Sequence, residues 1–371
     1  MQFTISREAL IKPLQRLAGI VEKRNTLPIL SNVLVVVKNQ LLSLTGTDSE
    51  IEMVARVPLV EPSQSGAITL PAKKWMDICK ALPEEAIVSF ELSENKALFR
   101  SGRSRYVLAC LPPENYPQIE ESPSDVELSV SQATLRQLLD ATSFAMAHQD
   151  VRYYLNGICL LFSSQEIRIV ATDGHRLATM ALPLRCNLTK PLAIIVPRKA
   201  VIEMQRLWVE GEDEIGIVIG KNHLRAVTPH ITFVTKLIDG KFPDYKRVLP
   251  SAPHRYEMVV AREQLRQALL RVSALFSDKH RGVGLQFSPN LLRIVAVTTD
   301  KDEVEDEIEI AYQGPTFEIG MNANYLLEYL TITKTEQVKA TFVDPDQVIL
   351  FETLGEEGAG LLSYVVMPMR L

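Results

Sequence analysis

Hydrophobic and polar positions along this chain follow two alternating periods, and their order recurs three times. Residues 1–6, Met-Gln-Phe-Thr-Ile-Ser, alternate apolar and polar with period two, which predicts a half-buried strand. The spacing then becomes helical through REALIKPLQRLAGIV (7–21). The same switch recurs at QATLRQLLDATSFAM (132–146) and REQLRQALLRVSALF (262–276). Leu10, Leu135 and Leu265 align, with spacings of 125 and 130 residues. Downstream, LLSLTGTD, IRIVATDG and LRIVAVTTD bring Asp48, Asp173 and Asp300 into register. A second helical stretch follows in each copy: PAKKWMDICKALP, VPRKAVIEMQRLW and MNANYLLEYL. The late strands SRYVLACLPP, ITFVTKLIDG and LSYVVMPM also correspond. Four matches in one order make a repeated module.

Each copy reads strand, helix, several strands, helix, several strands. Two helices against one face of an antiparallel sheet is an α+β arrangement. The expected modules span 1–122, 123–250 and 251–371. The joints fall at a stretch rich in proline, serine and acidic residues (112–126) and at Pro250 and Pro253. A length of 371 residues is too great for one ordinary core. The longest apolar runs, such as 158–162, fall far short of the ~20 residues that span a bilayer, so no membrane role is expected. The alternating start does not resemble a secretory leader. Cys79, Cys110, Cys159 and Cys186 lie far apart with no CxxC pair, which suggests reduced thiols and a cytoplasmic protein.

A net charge of −5 argues at first against a nucleic-acid partner. The distribution changes that. The six helical stretches together carry +8, which leaves −13 on the remainder. If repeat-equivalent helices share one surface, it is a track for phosphates, with Lys73, Arg198, Lys199 and Arg266 as candidate contacts. Geometry then sets the assembly. Packed helices about 10 Å apart leave a hole of about 9 Å for six and about 28 Å for twelve. Only the larger admits duplex DNA about 20 Å wide, so two chains would close a six-module ring. The closing joint would be head-to-tail. Asp300, Asp302, Glu303, Glu305, Asp306 and Glu307 form an acidic run in the third copy. Lys96, Arg100, Arg103 and Arg105, with Lys74 on the second helix, are basic in the first. Tyr106, Leu275 and Phe276 could supply the apolar centre of such a joint.

The chain resembles the β subunit of bacterial DNA polymerase III, the sliding-clamp family, over its whole length. The stretches that carry the resemblance are RNTLPILSNVLV, LTGTDSEIEMVARV, RSGRSR, FAMAHQDVRYYLNG, VATDGHRLA, VPRK, DGKFPDYKRVLP and YVVMPMRL. It implies a homodimer that encircles duplex DNA without reading its sequence. It also implies loading by an ATP-driven clamp loader, and tethering of the polymerase III α subunit, other polymerases and repair proteins through short peptides. The implied peptide pocket is walled by Leu155, Thr172, Gly174, His175, Arg176 and Leu177. Pro243, Arg247 and Val248 continue it. Asn322, Tyr325, Val365, Val366, Met367, Pro368, Met369 and Arg370 complete it. A chain end rich in methionine suits a groove that accepts several peptides, because the thioether is flexible and polarizable. For DNA the resemblance points to Arg24, Gln149, Tyr153 and Tyr154. Contacts should be to phosphates, as a sliding ring requires.

Two other readings use the same residues. A static structural DNA-binding protein needs the basic helices but no closed ring. A metal-dependent hydrolase built on Asp173 and His175 is poorly supported. The other histidines show no ligand spacing, the first copy has Thr47-Asp48-Ser49 without histidine, and metal sites need three or four ligands. No phosphate-binding glycine loop and no GxSxG elbow is present. No metal, cofactor or catalytic residue is therefore expected.

Overall fold

The computed structural model describes residues 1–21, 27–119, 124–186, 188–208, 213–249, 256–276, 281–297, 301–344, 346–354 and 360–370; at Asp125 and Leu275 it describes the main chain alone. Among these residues the α-helices are α1 (Arg7–Leu17), α2 (Ala72–Ala81), α3 (Gln132–Thr142), α4 (Arg198–Leu207), α5 (Arg262–Val272) and α6 (Ala323–Ile332). Each follows directly on a strand, as the switch of period predicts. The Ser6 hydroxyl starts α1 by accepting from the Ala9 N–H at 3.3 Å. The third and fifth helices stop short of their apolar stretches. Each tightens into a 3-10 turn, at Ser143–Ala145 and Ser273–Leu275. At the end of α3 the Thr142 hydroxyl donates to the Leu138 carbonyl at 2.7 Å, a side-chain bond typical of a helix about to end.

The chain forms two compact units, Met1–Ala133 with Ile202–Leu237, and Thr134–Val201 with Ile238–Leu371. In the first, an eight-stranded antiparallel sheet runs in the order Gly66–Pro71, Asn32–Lys38, Leu41–Thr47, Ile51–Pro58, Ile231–Lys236, His223–Val227, Glu214–Gly220, Ser124–Ser131. Beside it lies a four-stranded sheet of Gln2–Ser6, Ile87–Ser93, Lys96–Ser101 and Ser104–Ala109. The second unit repeats the plan. Its eight strands run Leu192–Pro197, Gly157–Phe162, Glu166–Thr172, Arg176–Pro183, Leu362–Val366, Ile349–Thr353, Gln337–Phe342, Tyr256–Ala261. Its four-stranded sheet runs Glu303–Glu309, Leu291–Val297, Gly282–Ser288, Phe317–Asn322.

Each eight-stranded sheet is two four-stranded halves from successive repeats, zipped at one pair of strands. In the first unit the pair is Ile51–Pro58 with Ile231–Lys236, Ala55 opposite Ile231. In the second it is Arg176–Pro183 with Leu362–Val366, Leu177 opposite Val365. The joint is thus made by the same two strands of the module each time: the strand after the aspartate turn, and the late strand of the next copy. Inward positions carry the core. Trp75, Phe3, Phe90 and Phe99 are fully buried in the first unit, and Tyr312, Tyr329, Phe287 and Phe342 in the second. The rings stack or meet edge-on, as Phe3 on Phe90 at 4.7 Å.

Candidate partner groove and nucleic-acid surface

The aspartate turn is built identically in two repeats. The Thr172 hydroxyl donates to the Arg176 carbonyl at 2.6 Å and accepts from the Gly174 N–H at 3.1 Å. Asp173 Oδ1 accepts the N–H groups of His175 (2.9 Å) and Arg176 (3.1 Å). In the first repeat Thr47 donates to the Ile51 carbonyl at 2.8 Å and accepts from Ser49 at 3.0 Å, while Asp48 accepts from Glu50 at 2.8 Å and Ile51 at 2.7 Å. Asp173 is therefore a turn former, and its second oxygen is committed to Arg176 Nε at 3.0 Å. The turn needs a left-handed residue: Ser49 has φ 74° and Gly174 φ 92°. A Cβ at Gly174 would lie 2.8 Å from the Arg152 guanidinium, so that side chain would have to move aside.

The repeats diverge at the next two positions. Ile51 and Glu52 in the first correspond to Arg176 and Leu177 in the second. Arg176 is only 8% exposed. It binds Asp173, Glu328 Oε2 at 2.7 Å and the Phe144 carbonyl at 2.8 Å. Its guanidinium also lies 4.4 Å from the Tyr325 ring centroid and 5.5 Å from that of Phe144. Leu177 joins a buried cluster with Cys159, Val170, Leu350 and Val365, against which Phe242, Tyr245 and Val248 pack half-buried.

Above that floor, within the second unit, opens a cavity of about 180 Å³. Ten of the expected residues line it: Leu155, Thr172, Gly174, His175, Arg176, Leu177, Pro243, Val248, Val365 and Met367. Arg152, Phe242 and Tyr245 line it too, although sequence reasoning did not single them out. The signal lay in the FPDY of a stretch already noted. Tyr154, expected on DNA, is part of this wall. Burial raises the Tyr245 phenol and pushes the Cys159 thiol up to about 12, so neither ionises at neutral pH. A concave, mainly apolar site with a few fixed polar groups suits apolar side chains of a ligand.

The remaining expected groove residues are outside the lining. Arg247 is exposed and pairs with Asp244 at 3.1 Å. Val366 is buried in its strand, opposite Arg176. Asn322 caps α6 by accepting from the Asn324 N–H at 3.0 Å. Tyr325 acts through Arg176. Past the last strand the tail is held by its main chain, with Met367 N–H donating to the His175 carbonyl and Met369 N–H to the Gly320 carbonyl, both at 2.9 Å. Pro368 is half-buried and Arg370 exposed. The Met367 side chain stays 42% exposed at the cavity edge.

Of the candidate DNA contacts, Arg24 lies outside the described residues. Lys73 and Lys199 are exposed on α2 and α4. Gln149 and Tyr153 are exposed on one loop, with Gln149 at φ 56°. Asp150 and Asn156 tie that loop together, Asp150 N–H donating to Asn156 Oδ1 at 2.9 Å and Asn156 Nδ2 to the Asp150 carbonyl at 2.8 Å. Arg198 and Arg266 have partners of their own. The Arg198 guanidinium donates through one Nη to the Met146 carbonyl at 3.1 Å and keeps its charge. Arg266 binds Glu263 at 3.0 and 2.7 Å. Its hydrogen bond, first among the causes, holds the Glu263 carboxyl at about 2.

The two candidate joint strands are the free edges of the four-stranded sheets. Arg105 is exposed on the first of them, Arg103 in the turn before it and Lys96 on the neighbouring strand, as is Lys74 on α2, and Tyr106 is half-buried. On the other strand Glu303 and Glu305 are exposed and Asp306 is half-buried. The acidic run is less bare than its sequence suggests, because Arg271 binds Asp306 at 2.6 Å and Arg293 binds Glu305. Phe276 is half-buried; Asp300 and the Leu275 side chain lie outside the described residues.

Comparison with known proteins agrees along the whole chain. Residues 1–120, 129–244 and 246–370 match the N-terminal, central and C-terminal domain models of the DNA polymerase III beta subunit. The chain is 48% identical to the beta sliding clamp of Pseudomonas aeruginosa and 45% identical to that of Escherichia coli K12, each match covering 100% of both chains. Its structure superposes on a crystal structure of the P. aeruginosa clamp bound to griselimycin with a TM-score of 0.96 at 48% identity, and on the Caulobacter crescentus clamp with 0.92 at 32%, both over 100% of each chain. Three fused α+β repeats with zipped sheets define a DNA-replication clamp, a binding protein and not an enzyme. The chain belongs to the DNA polymerase III beta subunit, or beta sliding clamp, family.

Proposed function

We propose that two copies of this chain close head-to-tail into a six-module ring around duplex DNA, and that the cavity of the second unit takes the peptides of polymerases and other DNA-processing proteins. One observation carries the ring. Two of the module's three aspartate-turn strands pair with the late strand of the next repeat. Left over are a late strand, Ser104–Ala109, and an aspartate-turn strand, Glu303–Glu309, each at a sheet edge with one neighbour. Long open edges are a liability unless covered. Pairing the two from different copies repeats the internal joint and closes a ring. Exposed Arg103 and Arg105 then face exposed Glu303 and Glu305, with Lys96 and Lys74 nearby on the basic side. Tyr106, Leu275, Phe276 and Asp306 belong to this joint.

The modules in this reading are 1–122, 123–250 and 251–371, and the protein works in the cytoplasm. Phosphate contacts come from Arg24, Lys73, Gln149, Tyr153, Arg198, Lys199 and Arg266. Tyr154 serves the groove. Arg152, Phe242 and Tyr245 join the groove residues, and Arg247, Asn322, Tyr325 and residues 366–370 form its border. The test is topological. A clamp loader places the protein on circular DNA, which is then cut once. The ring should stay on the circle and leave the linear form by its ends. Equal loss from both forms excludes encirclement.

A further inference from the structure

The strand Gln2–Ser6 lies at the outer edge of its sheet and has a partner on one side, Ile87–Ser93. Leu92 N–H donates to the Met1 carbonyl and Arg7 N–H to the Ala86 carbonyl, at 2.9 and 2.8 Å. Odd-numbered residues thus turn their main-chain groups towards that partner, and even-numbered residues turn theirs outward. Gln2 uses its outward groups on Gln64, exchanging bonds of 3.2 and 2.8 Å. The ladder then fails. Continued antiparallel, it would set Thr4 against Pro62, which has no N–H to give. Among the described residues no main-chain bond reaches the outward N–H and C=O of Thr4.

A cavity of about 370 Å³ opens at that place, within the first unit. Thr4 and Ser6 form one wall, and Leu59, Val60, Glu61 and Ile87 the others. Val60 is 93% exposed and Ile87 56%. Exposed apolar side chains beside unmet main-chain donors and acceptors are the two halves of a strand-addition site: the main chain gives affinity and the pockets give selectivity. Carboxylates flank it. Glu61 is in the wall, and exposed Glu84 and Glu85 precede Ile87.

We propose that this edge is a second peptide-binding site, which takes a short extended segment of a partner protein with β-branched side chains and basic flanks. The segment adds as a strand along Thr4 to Ser6, places an apolar side chain against Val60 and Ile87, and sets a lysine or arginine near Glu61. The site uses neither the methionine tail nor the cavity of the second unit.

The probe is acetyl-Lys-Val-Thr-Val-Lys-amide, added to the full-length protein. Amide exchange across residues 1–9 is read by mass spectrometry. The expected result is slowed exchange at Thr4 and Ser6, saturating with a dissociation constant on the order of 1 mM, as three main-chain bonds would give. Proline in place of the central threonine should abolish the effect, and glutamate in place of both lysines should weaken it about tenfold. Val60→Lys, a change at a solvent-facing position, removes the apolar contact and sets a like charge beside the lysines, and should also weaken it about tenfold with unfolding unaltered. Unchanged exchange, equal protection by the proline peptide, or full protection in Val60→Lys overturns the proposal. Protection without peptide that grows with protein concentration also overturns it, in favour of a second copy of the chain.

Discussion

At the residue scale the turn at 172–176 separates what holds the fold from what serves the groove. Thr172 and Asp173 repeat the bonds of Thr47 and Asp48, so they are structural, while Arg176 is particular to the second repeat. Arg176→Ala leaves Glu328 and the Phe144 carbonyl without their donor. It should cost about 3 kcal/mol in urea unfolding, the lower end of the range for a broken buried pair because Glu328 is partly exposed. Affinity for a polymerase-derived peptide should fall with it, since Phe144 and Tyr325 lose the group they rest on. Gly157→Ala should cost about 3 kcal/mol by the same measurement, because its Cβ would collide with the Val196 carbonyl across paired strands that cannot part. A pH effect also belongs here. The Arg152 side-chain bond, the largest influence, lowers the Asp150 carboxyl to about 2. A carboxyl lowered in the folded state stabilises fully above its ordinary 3.8, and this is lost as pH falls through about 2. The side-chain carboxyl resonance of Asp150 should therefore titrate only in strong acid, with a midpoint well below 3.8; a midpoint at or above 3.8 would show that the Arg152 bond does not hold the carboxylate.

At the element scale, what matters is which strand ends in a groove. Leu362–Val366 joins the two halves of the sheet in the second unit, and Met367, the residue after it, lines the cavity. The main chain of the tail is tied to His175 and Gly320, which leaves Met367 free to adjust to a ligand. Deleting residues 367–371 takes Met367 out of the cavity lining and leaves the strand pairing in place. Affinity for a polymerase-derived peptide should fall by at least about tenfold, or 1.4 kcal/mol, with the mass in solution unchanged. An unaltered affinity would remove the tail from the site. The sequence revealed this element well, since a methionine-rich end beside a buried strand stands out. It did not single out Phe242 or Tyr245, which flank the expected Pro243, because their place in the groove depends on the fold laying them on Val170 and Leu350.

At the scale of the whole molecule, the repeated joint predicts how two copies meet. Glu303→Lys with Glu305→Lys should set like charges against Arg103 and Arg105 and shift the mass from dimer to monomer at micromolar concentration. Adding Arg103→Glu and Arg105→Glu should restore the dimer. The wild-type dimer should loosen as salt rises, because exposed pairs are screened beyond about 8 Å at physiological ionic strength. A wild-type monomer indifferent to salt would end the ring proposal.

The sequence by itself determined the threefold repeat, the alternation of strand and helix, and the aspartate turns, because each depends on short-range periodicity and on turn chemistry within a few residues. It also carried most of the groove, since those residues sit in stretches long enough to resemble a family. Tertiary structure decided the rest. What a cation binds depends on its neighbours in space, and so the bonds of Arg198 to the Met146 carbonyl and of Arg266 to Glu263 could not be read from the chain. Which strand edges remain open depends on pairings between residues up to about 190 apart, a distance over which no local pattern carries information.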